Sequence, residues 1–341
     1  MSPQDRNGWI DLLRSLAAIS VALFHFNEIP LSVPASAGPW QEVWRHGHWG
    51  VGVFFALSGY CIYVGWSKPP SAGRFLSRRL QRIFPSYWCS LLLVLALALS
   101  VKLMTGVNDV TPLPDSTASV IATVLLATNP LTPIATINWV YWTLTVLLGF
   151  YVLMTLVLLG PPKLRLLLLA GLHGLLCTAD AILNPLPTGP AFIVSCWPVF
   201  GVGLALAVFG DQRGTGITML AVSALHAVWA ALRGSAPADY VLVAIGTVVA
   251  IALLASRAFP RWLAPVAAIG PFSYSLYLIH VPVGIYLAQR FLPDRFTSTA
   301  GLVLTQLLQL GFCLAAARLF YLLAERPFLP RPRTGADLQP A

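Results

Sequence analysis

Residues 9–27 read WIDLLRSLAAISVALFHFN, nineteen mostly apolar residues interrupted by Asp11, Arg14 and His25. A run of this length can cross the ~30 Å hydrocarbon core of a bilayer as one helix. Ionisable groups at that depth are costly and mark a cavity or a partner. At 100° and ~1.5 Å per residue, Arg14 and His25 lie three whole turns apart, on one face and roughly 16 Å from each other along the axis. By the same arithmetic Asp11 falls about 40° from His25. Glu28, three residues past His25, shares the His face. A packing role would suffice for one polar residue between helices. Three aligned groups each carry a separate burial cost, so the stripe reads as functional.

The rest of the chain repeats the long apolar run. Of 341 residues, 57% are hydrophobic and only 10% charged, where a soluble domain carries about 25% charged residues. Ten spans are expected, at 9–27, 49–66, 84–104, 139–160, 164–182, 190–208, 215–232, 238–256, 268–290 and 299–323. The stretch 117–136, with Asn129, Pro130 and Pro133, is weaker and reads as interfacial or re-entrant. The fold class is therefore an all-α polytopic membrane protein of about ten transmembrane helices. One membrane domain over 6–323 is expected, followed by a polar cytoplasmic tail, 324–341, disordered at its end.

Lysine and arginine set the orientation. Arg45, Lys102, Arg233, Arg290 and Arg295 fall on the side opposite the N-terminus, Arg318 lies within the last span, and the other fifteen of the 21 basic residues fall on the N-terminal side. The positive-inside rule then places both termini in the cytoplasm, which an even span count requires. This rule accounts for the net charge of +9, so the charge argues for no nucleic-acid partner. Ala35-Ser36-Ala37 resembles a signal-peptide cleavage site, but Asp11 and Arg14 interrupt the apolar region and the basic n-region is thin. The five cysteines fall within or at expected spans, form no C-x-x-C pair and read as small apolar residues, with no metal site implied.

Three further features stand out. The segment 67–83 reads as a basic cytoplasmic loop carrying Arg74, Arg78, Arg79 and Arg82, which topology and anionic lipid alone would explain. Arg79 and Arg82, however, are spaced i, i+3 at the start of the third span, and paired guanidiniums grip phosphate. Ser58-Gly59 in the second span permits close helix packing. His280 follows four hydroxyl-bearing residues, Ser273, Tyr274, Ser275 and Tyr277, on an otherwise apolar helix and is read equally as packing or function.

In this order the pieces resemble the acyltransferase 3 family of membrane acyltransferases. The matching residues are Asp11-Leu12-Leu13-Arg14-Ser15-Leu16-Ala17 with His25, then Phe55-Ala56-Leu57-Ser58-Gly59-Tyr60, then Arg79-Leu80-Gln81-Arg82-Ile83-Phe84-Pro85-Ser86-Tyr87-Trp88. Trp142-Thr143-Leu144 with Phe150-Tyr151, and Phe272 to His280, complete the set. The resemblance implies a ten-helix fold in a bacterial inner membrane and transfer of an acyl group, usually acetyl, from acyl-coenzyme A to a carbohydrate hydroxyl. It implies His25 as the catalytic residue and Arg14, Arg79 and Arg82 on the coenzyme A side. Asp11 and Glu28 are the two candidates to orient or charge-tune His25, a choice that spacing leaves open, and Ser58, Tyr60, Tyr87, Trp142, Tyr277 and His280 are further candidate supporting residues. Acyl-coenzyme A is then a co-substrate and no cofactor is permanently bound. The implied partners are membrane lipid and a carbohydrate or glycolipid acceptor such as an exopolysaccharide or lipopolysaccharide sugar.

One departure from the family pattern is plain. The family commonly carries a glutamate in Trp-Ser-Leu-x-x-Glu, and here Leu147 takes that place. The rival class is a transporter or flippase, whose buried charges would line a polar path without chemistry; a purely structural scaffold is a third. The Arg-x-x-Arg pair beside an intramembrane His discriminates, because a transporter needs no phosphate clamp there.

Overall fold

The computed structural model describes residues 3–28, 34–65, 71–106, 111–183, 189, 191–234, 238–254, 256–293 and 295–329. Lys68 of the basic segment and the tail beyond residue 329 lie outside them. The main helices are α1 (Pro3–Asn27), α2 (Gly38–Arg45), α3 (Gly50–Val64), α4 (Ala72–Thr105), α5 (Thr117–Val124), α6 (Trp142–Leu159), α7 (Arg165–Leu183), α8 (Phe192–Asp211), α9 (Arg213–Arg233), α10 (Ala238–Leu254), α11 (Ala264–Ala267), α12 (Ser273–Ile279) and α13 (Thr299–Phe320). No β-strand occurs among the described residues. Nine segments among them are long and apolar enough to cross a membrane, and α10 is a shorter apolar helix where the eighth span was expected. The protein is an all-α, multi-pass integral membrane protein. The weak stretch 117–136 forms the short α5 followed by turns, and so is no span.

The helix α8 sits at the centre. Every residue from Trp197 to Ala205 is buried, on all sides of the helix, the pattern of a core helix enclosed by others. It packs against α3, α6, α7, α9 and α10. Two glycines make the α3–α8 approach possible. A Cβ at Gly59 would run into the Phe200 carbonyl, and one at Gly203 into the Ala56 carbonyl. The two backbones therefore touch, as small residues allow in membrane helix pairs. Polar side chains fix the α7–α8–α9 layer. Trp197 Nε1 donates to His173 Nδ1 at 3.3 Å, which leaves His173 Nε2–H to donate to the Met219 carbonyl at 3.1 Å. His226 Nε2 meets Asp180 Oδ2 at 2.7 Å. Large apolar side chains on α4, α7 and α9, among them Leu99, Leu103, Leu167, Leu175 and Leu225, are exposed, which suits a lipid-facing surface.

Two expectations are corrected. The basic segment is helical and no loop from Ala72 onward: Ser71 caps the helix, its Oγ accepting from the Arg74 N–H at 3.4 Å. At ~1.5 Å per residue the 34 residues of α4 span about 51 Å, well beyond the ~30 Å hydrocarbon core. Its first turns, carrying Arg74, Arg78, Arg79 and Arg82, thus stand clear of the lipid tails. The ninth span, in turn, is not one regular helix. Between residues 261 and 291 it runs through a 3-10 turn, α11, a second 3-10 turn at Gly270–Phe272, α12, and a π-helical stretch at His280–Leu287. Pro265, Pro271 and Pro282 each remove a backbone donor along it.

Candidate active site

α1, α3, α4, α6, α12 and the end of the last span enclose a cavity of about 410 Å³, within the range of small-ligand sites. Its polar end belongs to Asp11, Arg14, Arg79 and Arg82. Arg14 pairs with Asp11 at 3.7 Å and donates to Cys61 Sγ at 3.6 Å. Arg79 is half-buried, its guanidinium 5.3 Å from the Phe75 ring centre and 5.6 Å from that of Tyr151. Arg82, one turn further on, is exposed. The helical start of α4 explains the convergence: residues 79 and 82 share one face of a continuous helix, and that face turns toward Arg14. Three cations against one carboxylate make this end strongly positive, and guanidiniums suit phosphate oxygens.

The apolar end closes on Val51, Phe54, Leu144 and Tyr277. The Tyr277 hydroxyl is fixed twice: it donates to the Val140 carbonyl at 2.9 Å and accepts from Thr143 Oγ1 at 2.7 Å. His25 does not line the cavity. It lies behind Tyr277, reached through His280. The Tyr277 and His280 rings are 5.7 Å apart, and His280 and His25 lie 5.3 Å apart with near-parallel planes at 24°. On its other side His25 meets Trp139 at 6.0 Å, which meets Tyr286 at 5.7 Å. Trp139 is 43% exposed, so this flank of His25 opens away from the arginines.

The remaining expected residues divide. Ser58 lines the cavity. Asp11 is engaged by Arg14, and the helix rise holds it roughly 21 Å from His25, too far to orient that ring. Glu28 is exposed at the end of α1. Tyr60 packs beside Ile10, Leu57 and Ile251. Tyr87 is buried and donates to the Thr123 carbonyl, tying α4 to α5. Trp142 is partly buried against Phe55. Sequence reasoning missed Trp139, Thr143 as the partner of Tyr277, and Glu325. Glu325 is 1% exposed, accepts from Ser275 Oγ at 2.5 Å through Oε2, and has no partner for Oε1 among the described residues. It is the only acidic residue between Arg295 and Arg333, a signal that could have found it. Among the described residues no three His, Cys, Asp or Glu side chains converge as a metal site.

The profile of the acyltransferase domain matches residues 7–324, nearly the whole chain. The chain belongs to the acyltransferase 3 family. It is also 32% identical over 163 residues to Nodulation protein 10 of Rhizobium leguminosarum bv. viciae, a match spanning 43% of this chain and 43% of that protein. No solved structure matches. The protein is thus a membrane-embedded member of a transferase family. Against that family's pattern the place of Leu147 gains meaning, since Leu147 lines the cavity. The cavity therefore has a neutral wall where the family commonly has an acid.

Proposed function

We propose that the protein transfers an acyl group, in the simplest case acetyl, from acyl-coenzyme A to a hydroxyl of a carbohydrate or glycolipid acceptor in a bacterial inner membrane. The observation that carries the reading is the convergence of Arg14, Arg79 and Arg82 on one end of a cavity whose other end abuts a histidine pair. The excess of basic residues on the N-terminal side puts the arginines at the cytoplasmic face, where coenzyme A is available. Its phosphates take the guanidiniums, and its pantetheine arm covers the roughly 16 Å from Arg14 to His25 along α1, a path that requires the Tyr277 ring closing the cavity's apolar end to move aside. The acceptor approaches past Trp139 from the opposite face. His25 takes the proton of the attacking hydroxyl, the oxygen adds to the thioester carbonyl, the C–S bond breaks, and the departing thiolate takes the proton from His25.

The test is a pair of otherwise identical cells with and without the protein, whose glycans are compared by mass spectrometry for O-acyl groups. Loss of one O-acyl modification on deletion, restored by the wild type but not by His25→Gln, supports the reading; unchanged O-acyl content overturns it. The broken backbone of residues 261–291 favours one second reading, a transporter. Transport predicts the same degree of acylation but a changed amount of glycan outside the membrane, and the same cells decide it.

A further inference from the structure

His280 is 1% exposed, and its two ring nitrogens have unlike surroundings. Nδ1 lies 2.8 Å from the Tyr277 carbonyl and 3.3 Å from the Leu276 carbonyl. A carbonyl accepts only, so Nδ1 carries the proton. In the neutral ring Nε2 is then a bare acceptor, because a neutral imidazole holds one N–H. That Nε2 is buried and has no partner among the described residues. A buried acceptor left unmade is costly, and such groups persist where function uses them. The ring beside it is His25, 5.3 Å away and near-parallel; His25 has no hydrogen bond to any described residue, and the bond between the two rings is itself unmade in this structure. The π-helical stretch opening at His280 sets this geometry. It seats the side chain back on its own preceding turn, and π-turns inside α-helices are frequent at functional sites.

We propose that His280 is the positioning residue of the acyl transfer: a neutral imidazole whose Nε2 accepts the N–H of His25. It would do for His25 what a carboxylate does for the histidine of a hydrolase triad, fixing the tautomer and stabilising the imidazolium. Neither acid flanking the α1 stripe does this, since Asp11 lies roughly 21 Å from His25 and serves Arg14, and Glu28 is exposed. The protons balance. The acceptor hydroxyl gives its proton to one nitrogen of His25, the other His25 N–H leans on His280 Nε2 without transferring, and the departing thiolate recovers the first proton. His280 begins and ends neutral. The inference rests on the reading of His25 as base.

The experiment measures release of coenzyme A from acetyl- or succinyl-coenzyme A by inverted membrane vesicles of the native cells, which contain the native acceptor. Four forms are compared: wild type, His25→Gln, His280→Asn and His280→Gln. Asn keeps the donor to the Tyr277 carbonyl but has nothing at the Nε2 position; Gln can place an amide oxygen there. His280→Asn is expected to lower kcat about 100-fold, the scale of one acid–base or oriented hydrogen-bond contribution. Acetyl-coenzyme A affinity should stay within twofold of wild type, His280→Gln should recover at least tenfold over Asn, and His25→Gln/His280→Asn should be no slower than His25→Gln. A kcat for His280→Asn within twofold of wild type, while His25→Gln is inactive, overturns this inference alone. So do Asn and Gln variants that lose donor binding and melting temperature alike, which is the behaviour of a packing residue. A His25→Gln variant as active as wild type, or no release from either thioester by wild type, overturns the proposed function instead.

Discussion

Arg82→Ala isolates the proposed phosphate clamp better than any other single change. Arg79 is half-buried over Phe75 and Tyr151, so its truncation opens a hole and confounds folding with binding. Arg82 is exposed and makes no hydrogen bond to a described side chain or backbone group, so its removal opens no hole and breaks no hydrogen bond, although it takes a positive charge from the neighbourhood of Glu325. If it grips one phosphate, the loss is one charge-assisted contact, about 1.5–3 kcal/mol. At 1.4 kcal/mol per decade this weakens acetyl-coenzyme A binding roughly 10- to 150-fold, and solvent screening of an exposed group favours the lower end. Calorimetric titration of the purified protein in lipid nanodiscs measures it. The wild-type affinity should also fall as salt rises toward molar concentration, because the Debye length shrinks from about 10 Å at 0.1 M to 3 Å at 1 M, and the variant should show the shallower salt dependence. Repeating the titration with dephospho-coenzyme A closes the cycle. If Arg82 holds the 3′-phosphate, variant and wild type bind that ligand equally; if it holds the diphosphate, the difference persists. An affinity within twofold of wild type for acetyl-coenzyme A at low salt refutes the clamp.

The other predictions probe base, orientation and packing. His25→Gln should abolish transfer while acetyl-coenzyme A still binds and melting temperature holds, since an amide does not titrate near neutrality; near-wild-type transfer would return the α1 stripe to a structural role. Reporter fusions after Lys68 and after Arg333 should both read cytoplasmic, and an external signal at either reverses the orientation. Gly203→Ala should lower the melting temperature sharply because its Cβ meets the Ala56 carbonyl, whereas Gly171→Ala, with nothing within 4 Å, should be neutral or stabilising by up to about 1 kcal/mol. Equal melting temperatures for the two would refute the α3–α8 backbone contact.

The spans were legible because the bilayer imposes length and apolarity on each helix separately, and no partner need be known to see them. Arg14 was legible for the same reason: its burial cost is visible in one dimension. The helical start of α4 was not, since four arginines within nine residues look equally like a solvated loop. The chemistry needed to correct this is a single Ser71 cap and the absence of a breaker between Arg74 and Phe84. Pro85 is the one proline within α4, and it lies where the arginine run has already ended.

Partnership is the level at which one-dimensional reading stops. His280 could be seen as a polar residue on an apolar helix, but its spacing says nothing of Nδ1 folding back on the Tyr277 carbonyl, because that depends on a π-turn. Nor could its distance to His25, 255 positions earlier in the chain, be read from either segment. Glu325 shows the converse. Its position beside the clamp invites the idea that it replaces the acid the family commonly has where Leu147 stands. Yet Leu147 lines the cavity and Glu325 does not, and Glu325 spends one oxygen on Ser275 of α12. That bond joins the last span to the helix that carries Tyr277 and leads into His280. The acid thus acts on the frame that presents the histidine pair and lies near enough to Arg82 to feel its charge, while the cavity wall at 147 stays neutral and Asp11 is the one acid among the described residues lining the cavity.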